Sequence, residues 1–156
     1  QALEASSVAD LQILEIGCGA NPAVAAFSQA PYNANVKCTD MNEELLNLAR
    51  ARFPSSATLR YEQMDAEYME HEVDSTYDVV VERAMFDSLA RTDGDEVRPH
   101  SVLIHQICSE VHRVLRDDGQ ATQLARRSDA LERRTTELEP VLGEELRAAV
   151  DRAKTK

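Results

Sequence analysis

Leu11-Gln-Ile-Leu-Glu-Ile16 runs without a break into Gly17-Cys18-Gly19, and this junction constrains the fold more than any other stretch of the chain. A short apolar run that stops at a glycine reads as a buried strand rather than a helix. Glycines at that point let the backbone turn sharply and let a ligand approach where a Cβ would collide. A plain strand-to-helix turn uses the same Gly-x-Gly, so its meaning depends on the rest of the chain.

Beyond the glycines, strands and helices alternate. Residues 35–39 read as a second strand ending at Asp40, residues 58–62 as a third, and residues 77–82 as a fourth with three consecutive valines. Unbroken β-branched runs suit parallel strands buried on both faces. Residues 120–124 read as a weak fifth strand behind an Asp117-Asp118-Gly119 turn. Between the strands, residues 22–30 read as a short helix. Asn42 caps the next helix, with Glu43 and Glu44 in its first turn and a stop before Pro54. Residues 97–116 carry Leu103, Ile104, Ile107, Val111, Val114 and Leu115 at helical spacing. Strand and helix in alternation imply a doubly wound, mainly parallel α/β sheet with helices on both faces.

Composition narrows the function classes. A chain of 156 residues, 43% apolar, supports one domain with a real core. Its net charge is −11, and residues 1–125 hold nine Lys+Arg against 21 Asp+Glu. An acidic body repels phosphate backbones, so no nucleic-acid partner is expected; it suits cationic partners such as a basic protein segment. No apolar run reaches the roughly 20 residues of a membrane span, and the first residues lack the basic and apolar regions of a secretory leader. With a start at Gln1 rather than Met, a trimmed chain or a fragment is expected. Cys18, Cys38 and Cys108, odd in number and widely spaced, fit reduced thiols and a cytoplasmic location.

Three acids give the glycine turn its chemistry. Asp40 ends strand two, 23 residues after Gly17, where a carboxylate can accept from two ribose hydroxyls. Dinucleotide and S-adenosylmethionine sites both use that device. Glu15, two residues before Gly17, can face a cofactor's amino-acid end and hold the loop. Pro22 occupies the place of the third glycine of Gly-x-Gly-x-x-Gly, so no tight helix N-terminus is offered to a pyrophosphate. Asp65 comes after strand three, where it can accept from an adenine amino group.

The ordered set resembles a known family. Glu15-x-Gly17-Cys18-Gly19, Asp40, Asp65-Ala66 and the Val114-Leu-Arg-Asp-Asp-Gly119 turn are similar to the successive motifs of class I, Rossmann-like S-adenosylmethionine-dependent methyltransferases. The resemblance implies the strand order 3-2-1-4-5 and S-adenosylmethionine as cofactor. It places Glu15, Gly17, Cys18, Gly19, Asn21, Asp40, Met41, Asp65, Ala66 and Glu82 at the cofactor. A narrower resemblance lies in Tyr61-Glu-Gln-Met-Asp65 and Tyr77-Asp-Val-Val-Val-Glu-Arg-Ala-Met-Phe-Asp-Ser-Leu89. These resemble the methyltransferase-like proteins that methylate lysine on translation elongation factor 1-alpha, although Ala84 and Met85 stand where that group has Gly-Thr. By that resemblance Glu82 lies at the cofactor pocket and Asp87 near the acceptor, and both are candidate catalytic groups. A sulfonium methyl is intrinsically reactive, so alignment and exclusion of water carry most of such a reaction. A lysine acceptor must lose a proton, and Glu82 or Asp87 could attract and orient its cation. Asp87 would equally serve as a helix N-cap.

Residues 1–125 are therefore read as the cofactor-binding core and residues 126–156 as a helical extension. By the resemblance, this extension is expected to stand in place of the antiparallel hairpin that ends this family's sheet. The extension's Leu131, Leu138, Val141, Leu142, Leu146 and Val150 could cover the strand-five edge in the same chain or in a homodimer. Its Arg126, Arg127, Arg133 and Arg134 read as a solvated helix face. His105, Cys108 and His112 mimic a metal-ligand spacing. On a helix, however, the two histidines stand roughly 10 Å apart along the axis, too far to share one ion, so no metal is expected. Two rival functions share this core: a degenerate, cofactor-binding or protein-interaction module, and a methyltransferase acting on a small molecule.

Overall fold

The computed structural model describes residues 11–83, 85–86 and 100–124. Among the described residues are five strands: β1 Gln12–Ile16, β2 Asn35–Asp40, β3 Leu59–Gln63, β4 Tyr77–Arg83 and β5 Leu115–Leu124. They form one parallel sheet in the order β3-β2-β1-β4-β5, as expected. Helix α1 spans Glu43–Arg52 and helix α2 spans His100–Val114.

Burial explains the strand sequences. The inner strands β1 and β4 are buried on both faces, which suits Ile13-Leu14 and Val79-Val80-Val81. Edge strand β3 keeps only Leu59 fully inside. The register aligns Ile13 with Val36 and Val79, and Val36 with Leu59. Those four side chains floor one core, which Phe27 and Leu46 close. Leu14, Ile16 and Val80 face the other way and pack with Met69, Ile107 and Val114. The two cores lie on opposite faces of the sheet, because alternate strand residues point to opposite sides.

Local chemistry sets the element ends. The Asn42 side chain accepts from the amides of Glu44 and Leu45 at 2.9 and 3.4 Å and caps α1. Glu43 and Glu44 in the first turn and Arg50 and Arg52 in the last complement the helix dipole.

Two expectations need correction. Residues 22–30 do not form an α-helix: only Ala25–Ser28 is helical, as a single 3-10 turn. The chain is already extended at Gln29, two residues before Pro31, and the residue preceding a proline resists the helical region. Nor does Asp117-Gly119 form a turn ahead of strand five. The strand starts at Leu115, and the segment is absorbed as an irregularity in its pairing. Tyr77 pairs with Leu115 but Val79 pairs with Gln120, so the extra residues bulge out of the ladder. The extension at 126–156 lies outside the described residues.

Candidate functional site

The sheet order reverses at β1, which has β2 on one side and β4 on the other. In open α/β sheets such a switch point opens a crevice beyond the carboxyl ends of the strands. Ile16 is in register with Thr39 of β2 and with Glu82 of β4. The chain therefore leaves β1 between Asp40 and Arg83, and the candidate residues gather around this gap.

Gly17 and Gly19 both hold positive φ, +64° and +60°. Between them the Cys18 amide donates to the Thr39 carbonyl at 2.9 Å, and Thr39 Oγ1 donates to the Glu15 carbonyl at 2.9 Å. This turns the Cys18 thiol into the core, where burial and the nearby Glu15 and Asp40 charges push its pKa up. It is a packing group there, not a nucleophile.

The two glycines face different surroundings. A Cβ on Gly17 would sit 3.1 Å from Met85 Cβ and 3.2 Å from its Sδ, so Met85 fills the space that glycine leaves. Among the described residues, a Cβ on Gly19 would meet nothing within 4 Å. Gly19 thus borders the open crevice. Its amide donates to Asp40 Oδ2 at 2.8 Å, and Asp40 Oδ1 accepts from the Asn42 amide at 2.9 Å. Each carboxylate oxygen retains a second lone pair, so Asp40 can still accept hydroxyl groups at the crevice.

Glu15 supports the loop from beneath. It is fully buried, and its two oxygens accept from the Ala23 and Val24 amides at 2.9 and 3.2 Å. Burial raises its pKa to about 7, against the opposing pull of the two amides, Arg83 and Cys38. It presents no surface to the crevice. Arg83, the last residue of β4, donates from Nη2 to the Asn21 carbonyl at 2.6 Å and fixes the outer side of the same loop.

The remaining predicted residues border the same edge. Met41 is exposed, and its carbonyl accepts from Gln63 Nε2 at 2.8 Å, which ties the ends of β2 and β3 together. Asp65 Oδ1 accepts from the Glu67 amide at 2.9 Å, and Ala66 is buried beside it. Glu82 is buried; its Oε1 accepts from the amides of Met85 and Phe86, which begin a helical turn. It acts on local backbone as a cap does. Asp87 lies outside the described residues.

The structure therefore brings Glu15, Gly17, Cys18, Gly19, Asn21, Asp40, Met41, Asp65, Ala66 and Glu82 to one edge of the sheet. Sequence reasoning missed Thr39, Gln63, Arg83 and Met85. Arg83 and Met85 stand inside the strand-four motif, but nothing in the sequence ties Arg83 to Asn21, 62 residues away. His105, Cys108 and His112 are exposed on α2. Among the described residues, no group of three or more His, Cys, Asp or Glu side chains is placed to hold a metal.

These residues suit a nucleoside cofactor bearing an amino acid: an open glycine backbone, and a carboxylate with spare acceptor capacity beside it. The comparisons with known proteins agree with the fold. No curated protein matches the chain. Among solved structures, the YcgJ protein from Bacillus subtilis shares 25% identity with a TM-score of 0.58, over 90% of this chain and 51% of its own. An S-adenosylmethionine-dependent methyltransferase from Mesorhizobium loti shares 21% with a TM-score of 0.55, over 74% of this chain and 47% of its own. A phosphoethanolamine N-methyltransferase from Haemonchus contortus, solved with S-adenosylhomocysteine, shares 15% with a TM-score of 0.53, over 73% and 22%. The chain spans about half of the first two and less of the third. Across residues 13–119, from β1 into β5, the sequence matches the family described as a methyltransferase domain, and the chain belongs to that family.

Proposed function

We propose that this domain binds S-adenosylmethionine in the crevice between Gly19 and Asp40 and directs its methyl group to a lysine amine on a protein. The observation that carries the reading is the open backbone at Gly19 with the Asp40 carboxylate beside it. When bound, the cofactor supplies a sulfonium methyl that a nitrogen lone pair can displace, with S-adenosylhomocysteine as the leaving thioether.

The chain's own residues position rather than react. Asp40 accepts from the ribose hydroxyls while it holds Gly19 and Asn42 in place. Asp65, past β3, stands where it can accept from the adenine amino group. Glu15 and Arg83 keep the loop from collapsing into the crevice. Glu82 holds the start of the segment after β4, and that segment carries Asp87, the group assigned to draw in the lysine ammonium. The lysine acceptor is supported by the similarity of residues 61–65 and 77–89 to elongation factor 1-alpha lysine methyltransferases. The acidic body, at −11, adds to that support because it attracts a basic substrate.

Calorimetric titration with S-adenosylmethionine and S-adenosylhomocysteine tests the cofactor half. Saturable binding is expected, weakened roughly tenfold or more in Asp40→Ala, the scale of a lost hydrogen bond to a charged group. A folded chain that binds neither compound sinks the proposal. Transfer of labelled methyl to lysine-rich proteins tests the acceptor half. Transfer to metabolites alone would replace the protein acceptor with a small molecule. Binding without transfer to any acceptor would leave a cofactor-binding module.

A further inference from the structure

A second cavity lies at the opposite edge of the sheet, at the amino ends of β1, β2 and β3. It has a volume of about 440 Å³, within the range of small-molecule sites, and the segment 71–77 forms its wall. Its lining carries two cations, Lys37 and Arg60, and one carboxylate, Glu72. Lys37 of β2 and Arg60 of β3 are direct register partners, so two cations stand side by side on one face of the sheet. Adjacent like charges repel unless something compensates them.

The protein compensates only one. Lys37 Nζ lies 2.9 Å from Glu62 and 2.6 Å from Glu72, and the buried Glu72 also accepts from the Tyr77 hydroxyl. Among the described residues, no carboxylate pairs with Arg60. His71, on the facing wall, likewise has no side-chain partner among them. An uncompensated guanidinium and an imidazole thus flank a polar cavity in a chain whose net charge is −11.

We propose that this cavity binds a small phosphate-bearing molecule, held by Arg60 and His71, with the Lys37–Glu72–Tyr77 cluster as its preformed floor. Guanidinium groups favour phosphate because their paired N–H donors match two of its oxygens. Glu72 serves the site indirectly. It takes up the Lys37 charge and fixes the segment 71–77 against the sheet. The cavity contains none of the cofactor-edge residues, so it works independently of the cofactor assignment.

Titration of the whole chain with inorganic pyrophosphate and with ribose 5-phosphate tests this, each repeated on Arg60→Ala and His71→Ala. Saturable binding of at least one probe is expected, weakened roughly tenfold or more in both variants. The tighter probe tells a free polyphosphate from a phosphorylated metabolite. Both residues are exposed, so unchanged S-adenosylhomocysteine binding in the variants confirms that they fold. Should the cofactor itself fail to bind, an unchanged urea midpoint serves that purpose. Binding of neither probe overturns the proposal. So does binding that both variants retain, or binding that S-adenosylhomocysteine displaces.

Discussion

The two edges of the sheet use carboxylates in opposite ways. At the carboxyl edge, Glu15, Asp40 and Glu82 accept mainly from backbone amides: Ala23 and Val24, Gly19 and Asn42, Met85 and Phe86. At the amino edge, Glu72 and Asp78 meet cationic side chains, those of Lys37 and Arg116, and Asp78 also accepts from the Gln12 amide at 2.8 Å. A backbone amide cannot swing away, so a carboxylate that accepts from it dictates the path of the chain. A lysine or arginine side chain can find water instead. The first arrangement shapes a loop; the second balances charge where the sheet meets solvent.

That contrast sets the order of expected effects. Glu15→Ala strands two buried amides and leaves a void, so it should cost about 3–5 kcal/mol in urea unfolding and abolish cofactor binding. A loss under about 1 kcal/mol would show that the loop holds itself.

The two glycines come next. Gly17→Ala meets both its positive φ and Met85 at 3.1 Å, and should cost about 2–4 kcal/mol. Gly19→Ala meets only its φ among the described residues and should cost about 1–2 kcal/mol. Gly19→Ala should nevertheless be the variant that folds yet excludes the ligand, because its methyl projects into the crevice. Equal stability losses would mean that Met85 does not pack on Gly17.

Burial gives Glu15 a pH signature as well. Its folded pKa, about 7, lies above its ordinary 4.5, so the folded state favours the neutral acid. The stability it contributes is full below about 4.5 and declines as pH rises through about 7. Urea midpoints across that window should fall in the wild type, and fall less in Glu15→Gln. Parallel slopes would assign the pH dependence to another group.

At the small end, Glu43 pairs with Arg50 on α1, while the Arg50 guanidinium also lies over the Tyr61 ring. Glu43→Ala, which removes the ion pair and leaves that ring contact, should change stability by less than about 0.5 kcal/mol. A larger loss would blur the distinction between backbone-directed and side-chain-directed carboxylates.

Much of this was legible in the sequence. Val79-Val80-Val81 announces a strand buried on both faces, Asn42 with Glu43 and Glu44 announces a capped helix, and Gly17-Cys18-Gly19 with Asp40 further on announces the crevice. The illegible features depend on partners far along the chain. Arg83 reaches the Asn21 carbonyl and Gln63 reaches the Met41 carbonyl because the sheet order puts their strands together. No local pattern records that. The misread turn at Asp117-Asp118-Gly119 has the same origin. Its composition favours a turn, but pairing with β4 on both sides draws it into the sheet as a bulge. Residues 22–30 failed for a local reason, since prolines at both ends leave room for only one tight turn.

If the cofactor lies at the carboxyl edge, over Gly19 and beside Asp40, amide chemical-shift mapping during titration with S-adenosylhomocysteine will reveal it. Large shifts are expected at Gly17, Gly19, Asp40, Met41 and Asp65, with Asn35, Lys37 and Arg60 unmoved. Shifts confined to the amino edge, or none at saturating ligand, would contradict that placement.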